Sequence, residues 1–235
     1  MSALPAALGA TALAGAAAST ITYGIIGRSA RIFGPSVYRG PGLRRSIALT
    51  FDDGPSPATS RLLDYLAAAN IRATFFQCGM NVERDPGMAR AVLAAGHEIG
   101  NHTYSHRHLY LKSQALIDRE ITQAQDIISQ RLGAAPSLFR APYGQRWFGI
   151  GAVQKRLGLL GVMWTVIGQD WRWPSERVAA LVLHKASPGG IVCLHDGRGV
   201  QPHPDIGSTL DALQRIVPAL KDQGYNFESV TALLK

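Results

Sequence analysis

From Ser46 onward, short apolar runs alternate with longer stretches in which apolar positions recur at helical spacing. "SIALTF" (Ser46–Phe51), "RATFF" (Arg72–Phe76), "HEIGNH" (His97–His102), "SLFRAP", "LLGVMWTV" and "GGIVCLHD" read as strands. Several are apolar without interruption, as strands buried on both faces of a parallel sheet are. Between them lie helical patterns: "SRLLDYLAAAN" (Ser60–Asn70), "MARAVLAAG" (Met88–Gly96), "SQALIDREITQAQDIISQRLG" (Ser113–Gly133), "WFGIGAVQKRLG", "SERVAALVLHKAS" and "STLDALQRIVPALKDQG". Most close on Gly or Asn, the residues that end helices at least cost. The tail "YNFESVTALLK" adds a strand and a last helix. This alternation predicts an α/β fold built on a parallel sheet.

The N-terminal segment differs from the rest. Residues 1–27 carry no charged side chain, and "AGAAAS" (Ala14–Ser19) offers a small-x-small cleavage pattern. Arg28, Arg31, Arg44 and Arg45 follow it. This reads as a signal or membrane anchor, in preference to a loose N-terminal helix, with membrane contact through it and a secreted or anchored, extracytoplasmic protein. Residues 28–45 read as a Gly/Pro-rich linker and 46–235 as the folded domain. With 235 residues, 46% hydrophobic and 17% charged, the chain is expected to be a monomeric globular domain with a short appendage. The net charge of +8 comes from scattered residues without a basic-aromatic recognition pattern, so no nucleic-acid partner is expected. Cys78 and Cys193 are far apart and each adjoins apolar residues, which gives neither a disulfide framework nor a Cys-based zinc site.

Polar residues collect where the strands end: Asp52-Asp53, His102, Arg140, Asp170 and His195-Asp196. In a barrel of parallel strands those ends share one face, where active sites sit. "TFDDGP" (Thr50–Pro55) puts two carboxylates at such an end, and paired aspartates repel unless something positive shares the site. "HTYSH" supplies a partner: were it one helical turn, His102 and His106 would face the same way and grip a divalent cation with one aspartate. The other aspartate could then take a proton from water beside the cation. Adjacent strand residues point to opposite faces, so the two are expected to divide these roles.

Together these residues resemble the polysaccharide deacetylases, carbohydrate esterase family four, from about Ser46 to the C-terminus. The resemblance implies an irregular (β/α) barrel of parallel strands with fewer than eight repeats, and residues 46–235 as the catalytic domain. It also implies metal-dependent removal of acetyl groups from N-acetylated amino-sugar polymers or oligomers of the peptidoglycan or chitin type. By this likeness Asp52 is the base, and Asp53, His102 and His106 hold the metal. Zinc is expected, with cobalt or nickel fitting the same donors. "RAPYG" (Arg140–Gly144) matches the third motif. There Arg140 orients the catalytic carboxylate, and the Tyr143 N–H helps to hold the oxyanion. His195 would be the general acid, Asp170 would raise its pKa, and Trp171 and Leu194 would line the sugar and acetyl sites.

Two residues depart from the family pattern: Ile167 stands where the fourth motif opens with Asp, and Cys193 where the fifth has Leu. Neither removes a ligand, the base or the acid. His97, His108, His184 and His203 are read as structural or solvent-facing, and Asp196 as a loop tie outside the chemistry. An O-acetyl xylan esterase and a non-catalytic carbohydrate-binding protein are the alternatives that the same motifs leave open.

Overall fold

The computed structural model describes residues 3–235, with side chains from residue 15. The elements run α1 (Ala3–Ile26), β1 (Ser36–Val37), β2 (Ser46–Gly54), α2 (Thr59–Ala68), β3 (Thr74–Gln77), α3 (Gly79–Arg84), α4 (Pro86–Ala94), β4 (Glu98–Asn101) and α5 (Gln114–Leu132). They continue with β5 (Leu138–Phe139), α6 (Ile150–Leu157), β6 (Leu160–Val162), β7 (Val166–Ile167), α7 (Ser175–Lys185), β8 (Gly190–His195), α8 (Gly207–Asp222), β9 (Asn226–Phe227) and α9 (Val230–Leu233). Both termini of α5 follow from single residues. The Ser113 hydroxyl accepts the Leu116 N–H, and Gly133 takes the left-handed conformation (φ 71°) that ends the helix.

All the strand pairs are parallel, in the order β1-β6-β5-β4-β3-β2-β8-β7, with β9 added beside β2. The sheet curls into an incomplete barrel flanked by helices, as expected for strands alternating with crossover helices. β2 is an interior strand, buried at every position and held between β3 and β8. The largest hydrophobic cluster joins Leu49 and Phe51 of β2 to Leu62 and Leu66 of α2, Val178 and Val182 of α7, and Leu213 and Ile216 of α8. That packing fixes the strand whose end carries the two aspartates.

Residues 28–45 are not a free linker. Within them β1 pairs with β6, Phe33 and Ser36 are buried, and Arg39 bridges to Gly190. Gly and Pro here shape a segment packed on the sheet edge. The end of α1 is tied down too, because the buried Arg146 guanidinium donates to the carbonyls of Gly27 and Ala30. Among the described residues no helix is long and apolar enough to cross a membrane.

Leu49 is fully buried in this cluster, whereas Leu43 is 93% exposed. Leu49→Ala is therefore expected to cost about 3 kcal/mol in urea unfolding. Leu43→Ala should stay within about 0.5 kcal/mol of the parent. Equal effects would contradict this placement of the core.

Candidate active site

The end of β2 departs from regular pleating at the two aspartates. The register against β3 shifts between Asp52 and Gly54, and Asp53 has φ 72°. On a regular strand the two carboxylates would face opposite sides. The bulge turns both into one cavity of about 440 Å³, whose other walls include His102, His106, Tyr143, Trp171 and His195. The left-handed backbone at Asp53 is secured by its neighbours. Asn81 Nδ2 donates to the Asp53 carbonyl (2.7 Å), and the Gly199 N–H donates to Asp53 Oδ2 (2.8 Å).

Although they share the cavity, the carboxylates have different partners. Asp52 Oδ1 accepts from Arg140 Nη1 at 2.6 Å, and Arg140 is completely buried. The Cys193 thiol donates to Asp52 Oδ2 at 3.4 Å. Asp53 Oδ1 instead meets the two imidazoles, with His106 Nε2 at 2.9 Å and His102 Nε2 at 3.3 Å. Burial works to raise the Asp53 pKa, but the two imidazoles outweigh it and hold the carboxyl well below its ordinary range.

His102 and His106 do not lie on a helical turn. Thr103 and His106 have positive φ (65° and 56°), and the segment after β4 is an irregular loop. Its two imidazoles still converge, with ring centroids 5.0 Å apart. His102 Nδ1 lies 2.8 Å from the Arg140 carbonyl, which can only accept, so Nδ1 carries a proton and Nε2 is the nitrogen turned to Asp53. Asp53, His102 and His106 each offer a donor atom, all within 4.8 Å of one another, and the buried Asp53 Oδ1 has no hydrogen-bond partner. An imidazole anchored through its far nitrogen and an unsatisfied carboxylate oxygen fit a divalent cation.

Beside Asp52, His195 sits at the end of β8 as its register partner. Its Nδ1 lies 2.8 Å from Asp170 Oδ1, while Asp170 Oδ2 accepts from the His195 N–H (2.8 Å) and the Thr209 hydroxyl (2.5 Å). Burial pulls the imidazole pKa down, but the charge and hydrogen bond of Asp170 prevail and raise it to about 9. Trp171 packs edge-on against His195 at 4.9 Å between ring centroids. Opposite, Tyr143 has φ 59° and its ring stacks on His108 at 3.7 Å.

Thus Asp52, Asp53, His102, His106, Tyr143, Trp171 and His195 all line the cavity, with Arg140 and Asp170 directly behind it. Leu194 does not join them. It alternates with Cys193 and His195 along β8 and belongs to the core on the helix side. Ile167 is on the cavity wall. Asp196 is buried, with Oδ2 accepting from Thr59 (2.7 Å) and its N–H donating to the Asp52 carbonyl (3.1 Å), so it ties β8 to β2. His97 is also buried and accepts the Ala73 N–H, a structural role. Sequence reasoning missed Asn81, Gly199, Trp164 and Arg198, which support or line the site from segments without a recognisable motif.

The profile of the family described as polysaccharide deacetylase matches residues 39–162. A peptidoglycan-N-acetylglucosamine deacetylase of Bacillus cereus is 36% identical over 199 residues, covering 83% of this chain and 91% of that protein. A chitooligosaccharide deacetylase of Bradyrhizobium is 36% identical over 198 residues, covering 80% and 90%. A solved peptidoglycan N-acetylglucosamine deacetylase superposes with a TM-score of 0.78 at 31% identity, covering 83% of this chain and 91% of that one. The chain belongs to the polysaccharide deacetylase family.

A raised pKa means that the His195–Asp170 pair stabilises the fold fully below the ordinary value of 6.5, and that this is lost as pH climbs through about 9. Asp170→Asn is expected to bring the His195 midpoint well below about 9, as read from imidazole NMR shifts of metal-free protein. An unchanged midpoint would show that Asp170 does not hold the proton.

Proposed function

We propose that this chain is a metal-dependent hydrolase that removes acetyl groups from N-acetylated amino sugars in a polymer or oligomer of the peptidoglycan or chitin type. The observation that carries this reading is the convergence of three units on one cavity: Asp52 with Arg140, Asp53 with two imidazoles, and His195 with Asp170. The names of the similar proteins, deacetylases of peptidoglycan and chitooligosaccharide, supply the substrate class.

In this reading Asp53, His102 and His106 hold a divalent cation. Zinc is first choice from the donor set, with cobalt or nickel fitting too, and when bound it supplies Lewis-acid polarisation of water and of the amide carbonyl. Asp52, oriented by Arg140, accepts a proton from water as the water oxygen attacks the acetyl carbonyl carbon. The Tyr143 N–H donates to the oxygen that becomes negative. His195, protonated and held by Asp170, gives its proton from Nε2 to the amide nitrogen as the carbon–nitrogen bond breaks. Acetate and a free amino sugar leave. Trp171 walls the sugar site. The charge-free N-terminal segment and the wall polymer named for a relative support extracytoplasmic action on a wall glycan.

The test is acetate release from an N-acetylglucosamine oligomer before and after chelation, with zinc added back. Release should stop with the chelator and return with zinc, while Asp52→Asn should lower kcat by about a thousandfold. Release only from acetylated xylan would make the protein an ester hydrolase. Sugar binding without release from either substrate would make it a binding protein.

A further inference from the structure

The cavity that holds Asp52 and His195 does not end at Trp171. A second groove of about 550 Å³ continues from it and shares Trp171, Arg198 and Gln201 with it, adding Arg172, Trp173 and Asp205. Aromatic walls carried past the reacting centre suit a chain of sugars, whose apolar faces pack on such rings. The groove is also charged. Arg172 and Arg198 have no carboxylate within ion-pair distance among the described residues. Arg198 donates to the backbone carbonyls of Gly197 (2.7 Å) and Asp170 (3.1 Å), and the Arg172 guanidinium lies over the Trp173 ring at 5.7 Å. The carboxylates nearby are engaged elsewhere. Asp170 is bonded to His195 and Thr209, and Asp205 Oδ1 accepts the Gly207 N–H at 2.8 Å.

Two guanidiniums with no carboxylate in ion-pair contact, bordering an aromatic groove, keep donors for a carboxylate, which a guanidinium can bind through paired hydrogen bonds. We infer that the groove beyond Trp171 is a subsite for the sugar next to the one deacetylated, and that Arg172 and Arg198 recognise a carboxylate carried by that sugar. The preferred substrate class is then an acidic amino-sugar glycan, one in which an N-acetylated sugar adjoins a carboxylate-bearing one, over a neutral polymer of N-acetylglucosamine. This deepens the proposed function and rests on the same cavity being the site of deacetylation.

Three oligomers of equal length separate the cases: one alternating N-acetylglucosamine with N-acetylmuramic acid, the same oligomer with its carboxylates reduced to alcohols, and a chitin oligomer. The acidic glycan should exceed both neutral ones by about tenfold in kcat/KM, the worth of a charged hydrogen bond. The gap should narrow as salt is raised. Arg172→Gln and Arg198→Gln should each reduce the ratio of acidic to neutral kcat/KM, and the double variant should bring it close to one. Affinity from tryptophan fluorescence, measured on the same three oligomers, reads the preference without turnover. If nothing releases acetate but the acidic oligomer still binds more tightly, the deacetylation reading fails and the subsite stands. Equal affinity and equal kcat/KM for acidic and neutral glycans would overturn the inference.

Discussion

Arg140 is completely buried, so each of its donors must find an acceptor within the protein. Nε donates to the Val162 carbonyl, Nη2 to that of Met163, and Nη1 to both Thr50 and Asp52, while the guanidinium lies 4.0 Å from the centre of the Phe76 ring. These contacts lock β2 to the end of β6 at the level of the site. The backbone of the same residue acts in the other direction, since its N–H donates to the Asn101 carbonyl and its own carbonyl fixes the His102 proton. One residue therefore orients both the carboxylate and a neighbouring imidazole. Removing one member of a buried ion pair costs on the order of 3–5 kcal/mol, because the other charge is left stranded.

The remaining electrostatics follow from keeping two adjacent carboxylates apart in partnership while they share a cavity. Asp52 is matched to a permanent cation and a thiol, and Asp53 to two imidazoles. A third carboxylate, Asp170, stands behind His195 and holds a proton on it near neutral pH. The cavity thus presents a carboxylate paired with arginine and an imidazole paired with a carboxylate on adjacent strands, a pairing suited to moving a proton in and another out. The strand register puts them there, since Asp52 and His195 are direct partners on β2 and β8.

Much of this was legible in the sequence. Apolar runs and helical spacing marked β2, β3, β4 and β8 and the long helices, because burial on both faces leaves an unbroken apolar signal. The two-residue strands β5 and β9 fall within segments already read as strands, and the run read as one strand at "LLGVMWTV" divides into β6 and the start of β7, whereas β1 and the packed segment 28–45 were hidden by Gly/Pro content. The clustering of polar residues at strand ends gave most of the cavity. Strand alternation could have excluded Leu194, since it follows Cys193 and precedes His195 on β8. The same alternation misled at Asp53, where the bulge and a positive φ override it. The loop after β4 brings its two His together without a helix, so the helical turn expected from a spacing of four residues is absent and the rings converge through positive φ at Thr103 and His106.

The central claim is that Asp52 and Asp53, neighbours on one strand, do different work: Asp53 binds the cation and Asp52 handles the proton. Metal content after zinc loading and dialysis, measured in the parent, Asp52→Asn and Asp53→Asn, tests this most directly. The parent and Asp52→Asn should each retain one zinc per chain, while Asp53→Asn should lose it. Retention by Asp53→Asn, or loss from Asp52→Asn alone, would contradict the division of labour.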